Sequence, residues 1–397
     1  MFKGKTSFTQ NYFEDILKKV FENVLNITNV NSIEAIRPGN NYTSDILRVF
    51  INHSTKDGKD GQVFTVIAKC LKENDLEKSI AKDLKFYENE FNFYEETLPK
   101  IYEMGAKEKF GAKLYYMSTI PKPILLIEDL SAIGFELKCR LEGLDLEHCF
   151  LALEKLANFH ASSVALYEKN PELLLKFDQG LFSRNETIEK FLSVSIKELY
   201  SVCQRTPSLR QYYTKLQSIK DIRIQIFNSV KRSTEFNVLN HGDLWSNNMM
   251  FCYNSNGLPQ DVLFFDYQLS NFTSPVYDLH YFLATSLNAQ VKSKYIHTLI
   301  DFYVNKLIVA LKKFNVNTVP TNERLLKEFK ERAFIGFGSL LMCLPLLKAS
   351  NRSDASFTNY LTVDGEDSYR YHCFNNKCYI EDLEQLLPFY EDLEIFV

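Results

Sequence analysis

The stretch Asn237–Asn254, NVLNHGDLWSNNMMFCYN, sets His241, Asp243, Asn247 and Asn248 around Trp245, the only tryptophan of the chain, between two short apolar runs. Polar side chains grouped inside apolar sequence either form a turn or carry chemistry. Downstream, MMFCY (249–253) and VLFF (262–265) have the texture of short strands, and the NSNGLPQ between them holds the turn dipeptide Asn256-Gly257. Folded as a hairpin with Gly257 midway, the segment brings Asn248 and Asp266 to one open end. An amide oxygen and a carboxylate facing each other there are hard ligands suited to Mg²⁺, which takes few protein ligands and completes its shell with water or phosphate oxygens. Asp243, on the loop entering the hairpin, reaches the same place without being a ligand. His-x-Asp, an Asn after it and a second Asp beyond a hairpin form a phosphoryl-transfer layout. The tripeptide His241-Gly242-Asp243 alone reads equally well as a polar turn; the spacing, the turn and the second Asp together carry the assignment.

Such a layout needs an upstream partner that grips phosphates. VIAKCL places Lys69 at the end of a buried strand, where an ammonium requires a partner. In a kinase layout that lysine meets phosphates and a helix glutamate. Glu90 is the chosen glutamate; Glu88 and Glu95 lie on the same helical stretch and are alternatives. The phosphate loop falls at RPGNNYTSD (37–45), where Gly39, Asn41 and Thr43 offer backbone and side-chain donors. It is no G-x-G-x-x-G loop, and a plain β-turn accounts for it nearly as well. LLIEDLSAIGF then leaves a buried strand at Glu128 and Leu130, whose backbone would meet adenine. Asp278, at a helix start after Pro275, reads as a structural residue, and His160 as a satisfied core histidine.

The elements that must position these residues differ along the chain of 397 residues. Strand-like runs dominate about 33–130, interrupted by one helical stretch, EKSIAKDLKFYENEFNFYEETLP; beyond 145 helical periodicity prevails except around 238–267. The expectation is an α+β chain of two domains, 1–130 as an N-terminal ATP-binding lobe with an N-terminal helix and 131–397 as a helical lobe with the catalytic loop, metal site and acceptor pocket. Hydrophobic residues make up 45% and net charge is −4 without a long basic run, which argues against a nucleic-acid partner. The N-terminus reads as an amphipathic helix, not a signal peptide, and AFIGFGSLLMCLPLL (333–347) as a buried helix, not a membrane span. A cytoplasmic chain with reduced cysteines and no protein partner is expected.

GNNYTSDILRV, VIAKCL, ENEFNFYEETLPKI, LLIEDLSAIGF, LDLEHCFLALEKLANFHA, LNHGDLWSNNMMF and FFDYQLSNFTSPVYDLHYFLATS, in that order, resemble the aminoglycoside-phosphotransferase and choline-kinase superfamily. Within it the chain is most similar to the ecdysteroid-kinase-like family. The resemblance implies a bilobal protein-kinase-like fold, with a small β-rich N-lobe and a larger mainly helical C-lobe, and use of ATP and Mg²⁺. It implies Asp243 as catalytic base, Asn248 and Asp266 as metal ligands, and Lys69 with Glu90 orienting ATP. Tyr267 stands where the family usually has Phe. The implied reaction is phosphorylation of a hydroxyl on a small apolar acceptor, an ecdysteroid or another hydroxylated metabolite or xenobiotic. A protein kinase is disfavoured by the short stretch from Asp266 to Asp278, the lack of A-P-E, and Gly242 in place of the loop arginine. A catalytically inactive small-molecule-binding protein is the alternative.

Overall fold

The computed structural model describes residues 10–21, 24–35, 44–59, 61–71, 75–120 and 123–396. It divides into two compact units, one of Met1–Ala81 with Gly111–Phe135, the other of Lys82–Phe110 with Glu136–Val397. The sequence placed a single break at 130/131. Instead, the chain leaves the first unit after Ala81, returns at Gly111, and leaves it finally after Phe135.

The first unit begins with helix α1 (Gln10–Val20), followed by strands β1 (Val24–Glu34), β2 (Ser44–Thr55) and β3 (Gln62–Leu71). Helix α2 (Asp75–Asp83) comes next, and β4 (Leu114–Ser118) and β5 (Ile124–Glu128) complete an antiparallel sheet of order β1-β2-β3-β5-β4. Ile16 and Leu17 of α1 pack with Ile27, Val49, Ile51, Val66, Ala68, Ile124 and Leu126 in one apolar core. Strand β1 is absent from the sequence reading. Register shifts at Val24/Asn26 and Ile27/Asn29 break its alternation, and as an edge strand it buries only part of its length.

The second unit opens with α3 (Phe86–Asn92), a π-helical turn at Phe93–Thr97, and α4 (Leu98–Glu103). The single helix expected here is broken at Lys85, whose φ of 53° is left-handed. The π turn puts both Phe93 and Tyr94 in the interior. Two long helices, α5 (Leu146–Lys169) and, later, α11 (Ala289–Lys313), form the packed frame. Between them run α6 (Pro171–Leu175), α7 (Glu186–Arg205), α8 (Arg210–Ser218), α9 (Ile222–Ser229) and α10 (Val276–Thr285). After α12 (Asn322–Glu331), which is mostly exposed, the apolar run 333–347 folds as α13 (Phe334–Gly338), a π turn at Ser339–Cys343, and α14 (Leu344–Lys348), with the stretch from Ile335 to Leu344 buried. No helix among the described residues is long and apolar enough to cross a membrane.

Two small sheets carry the site. Strand β6 (Glu136–Leu137) pairs with β8 (Met249–Tyr253), which forms the hairpin with β9 (Pro259–Phe264). Strand β7 (Val238–Asn240) pairs antiparallel with β10 (Asn271–Thr273). The hairpin exists, but its register is not symmetric about Gly257. Met249 faces Phe264, and the Phe265 N–H donates to Asn248 O at 3.1 Å, so Asp266 lies one residue past the ladder. The cause is the turn closing at Asn254–Leu258, centred on Asn256; a bulge opposite Cys252 and Tyr253 that adds a residue to β9 offsets only part of that shift.

Beneath the hairpin, Tyr267 stacks on Phe93 (ring centroids 3.6 Å apart), while Phe159 lies within 5.4 Å of Phe110 and 5.9 Å of Tyr267. Phe159, on α5, is fully buried. Phe159→Ala should lower unfolding stability by about 3–5 kcal/mol, measured by urea denaturation. A loss under about 1 kcal/mol would contradict a packed aromatic floor.

Candidate active site

The catalytic-loop candidate leaves β7 at Asn240. Asn240 Nδ2 donates to Thr273 O and Ser274 O, both at 3.2 Å, and its Oδ1 accepts from Asp278 N at 3.3 Å. Asp278, in the first turn of α10 and fully buried, anchors the loop's start: Oδ2 accepts from His241 N at 2.6 Å and Oδ1 from Gly242 N at 2.9 Å. The third donor is His160 on α5, whose Nε2 lies 3.1 Å from Asp278 Oδ2, while its Nδ1 lies 2.6 Å from the Tyr303 hydroxyl on α11. Burial lowers the His160 pKa despite the opposing pull of Asp278, so the imidazole is neutral, with Nε2–H donating and Nδ1 accepting.

Gly242 is required where it stands. Its φ is 83°, and a Cβ there would sit 1.9 Å from Leu269 O. No side chain fits. His241 spans the loop and the hairpin end: Nε2 donates to Phe265 O at 2.9 Å and Nδ1 accepts from Asp243 N at 3.3 Å.

The chain direction set by these bonds aims Asp243 away from the interior; it is half-buried among buried neighbours. Its carboxylate is held on both oxygens. Oδ1 accepts from the Tyr281 hydroxyl at 2.5 Å, and Oδ2 from Asn248 Nδ2 at 2.9 Å. Burial, and next the Asp243 charge, raise the Tyr281 pKa well above its ordinary value, so Tyr281 remains a donor throughout the physiological range. Asn248 Nδ2 also donates to Asp243 O at 2.9 Å. With its amide nitrogen committed to Asp243 twice, Asn248 turns Oδ1 the other way.

Asp266 follows β9 with φ 68° and ψ 61°, a left-handed conformation that a non-glycine residue adopts only when its surroundings impose it. The imposition comes from the next residues. Tyr267 is buried on Phe93, and its hydroxyl donates to Phe110 O at 2.8 Å, an interaction that the phenylalanine usual in the family cannot make. Asn89 Nδ2, on α3, donates to Gln268 O at 3.2 Å. Of the three glutamates weighed for a role on this stretch, Glu88 and Glu95 are exposed and Glu90 is buried. Glu90 and Asp266 both act, after burial, to raise the pKa of the buried Tyr94. The second unit therefore brings Asp243, Asn248, Asp266 and Glu90 into one region. An amide oxygen and one carboxylate fit a hard cation that keeps most of its shell for water or phosphate, and among the described residues no cluster of three or more His, Cys, Asp or Glu offers a different metal site.

In the first unit, Lys69 is buried on β3, with Ile46 opposite on β2 and Leu125 opposite on β5. Glu128 ends β5, its N–H donating to Lys113 O at 2.9 Å. Leu130 is buried and its carbonyl accepts from Phe135 N at 3.1 Å. Gly39, Asn41 and Thr43 lie outside the described residues. Two features escaped the sequence reading. One is Tyr281, which shares a helix face with Asp278 at i, i+3, a spacing visible in DLHY. The other is the ion pair of Arg48 Nε with buried Asp129 Oδ2 at 2.8 Å, which fixes the segment after β5.

Asp278→Ala leaves two buried loop N–H groups and the His160 imidazole without an acceptor. It should cost about 3–5 kcal/mol of stability; a loss near zero in urea titration would show that the loop is held by something else. Because His160 is neutral in the fold and protonates readily in the unfolded chain, stability should also fall as pH drops below about 6.5. His160→Gln should weaken that dependence without abolishing it, because buried His280, whose pKa burial lowers to about 3, contributes in the same sense; an unchanged slope would contradict the neutral assignment.

No curated protein matches the chain. Among solved structures, an ethanolamine kinase of Plasmodium vivax is 13% identical over 92% of this chain and 83% of its own, with a TM-score of 0.44. An amicoumacin kinase solved with AMP-PNP, Ca2+ and Ami is 13% identical over 88% of this chain and 90% of its own, also with a TM-score of 0.44. A choline/ethanolamine kinase family protein from Mesorhizobium loti is 9% identical over 81% and 92%, with a TM-score of 0.31. Residues 38–316 match the ecdysteroid kinase-like family, a span that includes strands β2–β5, the catalytic-loop candidate, the hairpin and α10. The chain therefore belongs to the ecdysteroid kinase-like family of small-molecule kinases and has the expected kinase-like fold, a small antiparallel sheet followed by a larger, mainly helical part.

Proposed function

We propose that this protein transfers the γ-phosphoryl group of ATP to a hydroxyl of a small apolar molecule, an ecdysteroid or a comparable hydroxylated metabolite or xenobiotic. The observation that carries this reading is the Asp243 carboxylate, half-buried and held on one oxygen by Tyr281 and on the other by Asn248. The carboxylate is fixed in direction on both oxygens and left accessible to a proton donor.

In the reaction, the acceptor oxygen forms a bond to the γ-phosphorus, the bond from that phosphorus to the bridging oxygen breaks, and ADP leaves. The acceptor proton passes to Asp243 as the new bond forms. Tyr281 and Asn248 keep both carboxylate oxygens directed, so little reorganisation is needed when the acceptor arrives. Asn248 Oδ1 and Asp266 would hold Mg²⁺, which when bound neutralises charge on the phosphates. Lys69, oriented by Glu90, would hold the phosphates; Gly39, Asn41 and Thr43 would cover them, and the backbone at Glu128 and Leu130 would meet the base. The acceptor would lie in the helical part, and a cytoplasmic location fits a reaction that draws on ATP.

Incubation of the protein with Mg-ATP and a library of hydroxylated apolar compounds, read by mass spectrometry, should reveal phosphorylated products. Asp243→Asn should lower turnover by at least about a hundredfold with ATP affinity retained; transfer at the parent rate would refute the base. Tyr281→Phe should lower kcat by about 10- to 100-fold without changing ATP affinity, and an unaltered kcat would show that the hydroxyl does not serve Asp243. Asp266→Ala should abolish the Mg²⁺ dependence of ATP binding, seen by titration calorimetry; an unchanged dependence removes Asp266 from the metal site.

A further inference from the structure

Between the loop at Phe177–Ser183 and β10 lies a cavity of about 240 Å³, walled by Phe177, Phe182, Val230 and Phe272 and lined also by Asn271 and Tyr277. Two charged groups stand at its edge. Asp178 pairs with Lys85 at 2.8 Å, and Arg232 donates from Nε to Phe272 O at 3.1 Å with its guanidinium over the Phe272 ring. Asn271 differs. Its Nδ2 donates to Leu269 O at 3.2 Å, but its Oδ1 is buried and receives no hydrogen bond from any described residue. A buried amide oxygen in that state is costly, and a ligand hydroxyl donating to it would remove the cost.

The cavity adjoins the catalytic-loop candidate. A Cβ at Gly242 would lie 3.0 Å from Asn271 Nδ2, so Asn271 stands directly against the residue before Asp243. Tyr277 stands one helical turn before Tyr281 on α10, so one helix face lines the cavity and holds the Asp243 carboxylate. The Asp243 charge reaches both tyrosines. The volume is smaller than the about 300–1,000 Å³ of a pocket for a whole drug-sized ligand, which suits a ring system whose remainder extends outside the cavity.

We propose that this cavity binds the apolar end of the phosphoryl acceptor, and that Asn271 selects acceptors with two hydroxyls, one donating to its Oδ1 while the other is phosphorylated at Asp243. The substrate class is an apolar ring compound carrying at least two separated hydroxyls. The acceptor role rests on the kinase reading above; the hydroxyl-selective binding does not depend on it.

Two probes of nearly one shape separate these claims. 2-Naphthol carries the donor, and 2-methylnaphthalene replaces it with a methyl group. Binding to the full-length protein, followed by probe fluorescence and ligand NMR, should favour 2-naphthol by about tenfold. Asn271→Leu should bring the two affinities within about twofold, and Val230→Trp, which fills the cavity from its half-buried wall, should weaken both by at least about tenfold. With a phosphorylated acceptor from the library, 2-naphthol should compete with the acceptor and leave the KM for Mg-ATP unchanged. A preference that survives Asn271→Leu, or probe binding indifferent to Val230→Trp, overturns the site. Binding with the expected pattern but without acceptor competition overturns the acceptor role. If no compound is phosphorylated while the probe pattern holds, the kinase reading fails and the hydroxyl-selective site stands.

Discussion

The catalytic-loop candidate is anchored by one buried carboxylate. Asp278 takes the N–H groups of His241 and Gly242 and the imidazole of His160, so a single group ties the loop to α10, α5 and, through Tyr303, α11. A carboxylate wholly removed from water is tolerable only with such a set of donors. With the backbone at His241 and Gly242 fixed, the next residue has one direction in which to project. Asp243 points where Tyr281, three residues beyond Asp278 on the same helix, can meet it. The anchor and the orienting hydroxyl thus come from one rigid element, and a displacement of α10 would move both together.

The second constraint is the left-handed turn at Asp266. An aspartate at φ 68° is strained, and the strain persists because both sides are pinned. On one side the Phe265 N–H closes the hairpin on Asn248 O; on the other, Tyr267 is stacked on Phe93 and bonded to Phe110 O. Asn89 and Glu90 come from the same short helix, so the π turn after α3 serves the site twice, by placing Phe93 beneath Tyr267 and by keeping α3 alongside Gln268. The aromatic floor is therefore a positioning device as well as a core.

Much of this was legible in the sequence because hairpin chemistry is local. The Asn-Gly turn and the two apolar runs announced β8 and β9, and the Asp at the start of α10 announced a structural anchor. The register was not legible. The turn closes about Asn256 and not Gly257, a one-residue shift that composition does not show, and the bulge on β9 makes up only half of the difference, so Asp266 lies past the ladder and not across from Asn248. Strand β1 was missed because its bulges and edge position erase the alternation by which strands are recognised. Tyr281 was missed because α10 is buried all round, and on such a helix no periodicity marks which tyrosine faces a carboxylate. Spacing alone does not distinguish Glu88, Glu90 and Glu95; they differ in burial, a tertiary property, Glu90 being buried and the other two exposed.

The central claim is that the Asp243 carboxylate, oriented by the Tyr281 hydroxyl, accepts the acceptor's proton. The pH dependence of single-turnover phosphoryl transfer, compared between the parent protein and Tyr281→Phe, tests it most directly. A hydrogen bond to the charged form of a carboxylate lowers its pKa. Removing the hydroxyl should therefore raise the pKa of the base and move the acidic limb of the rate profile to higher pH. An acidic limb that stays in place, with the rate unchanged at its plateau, would contradict the account.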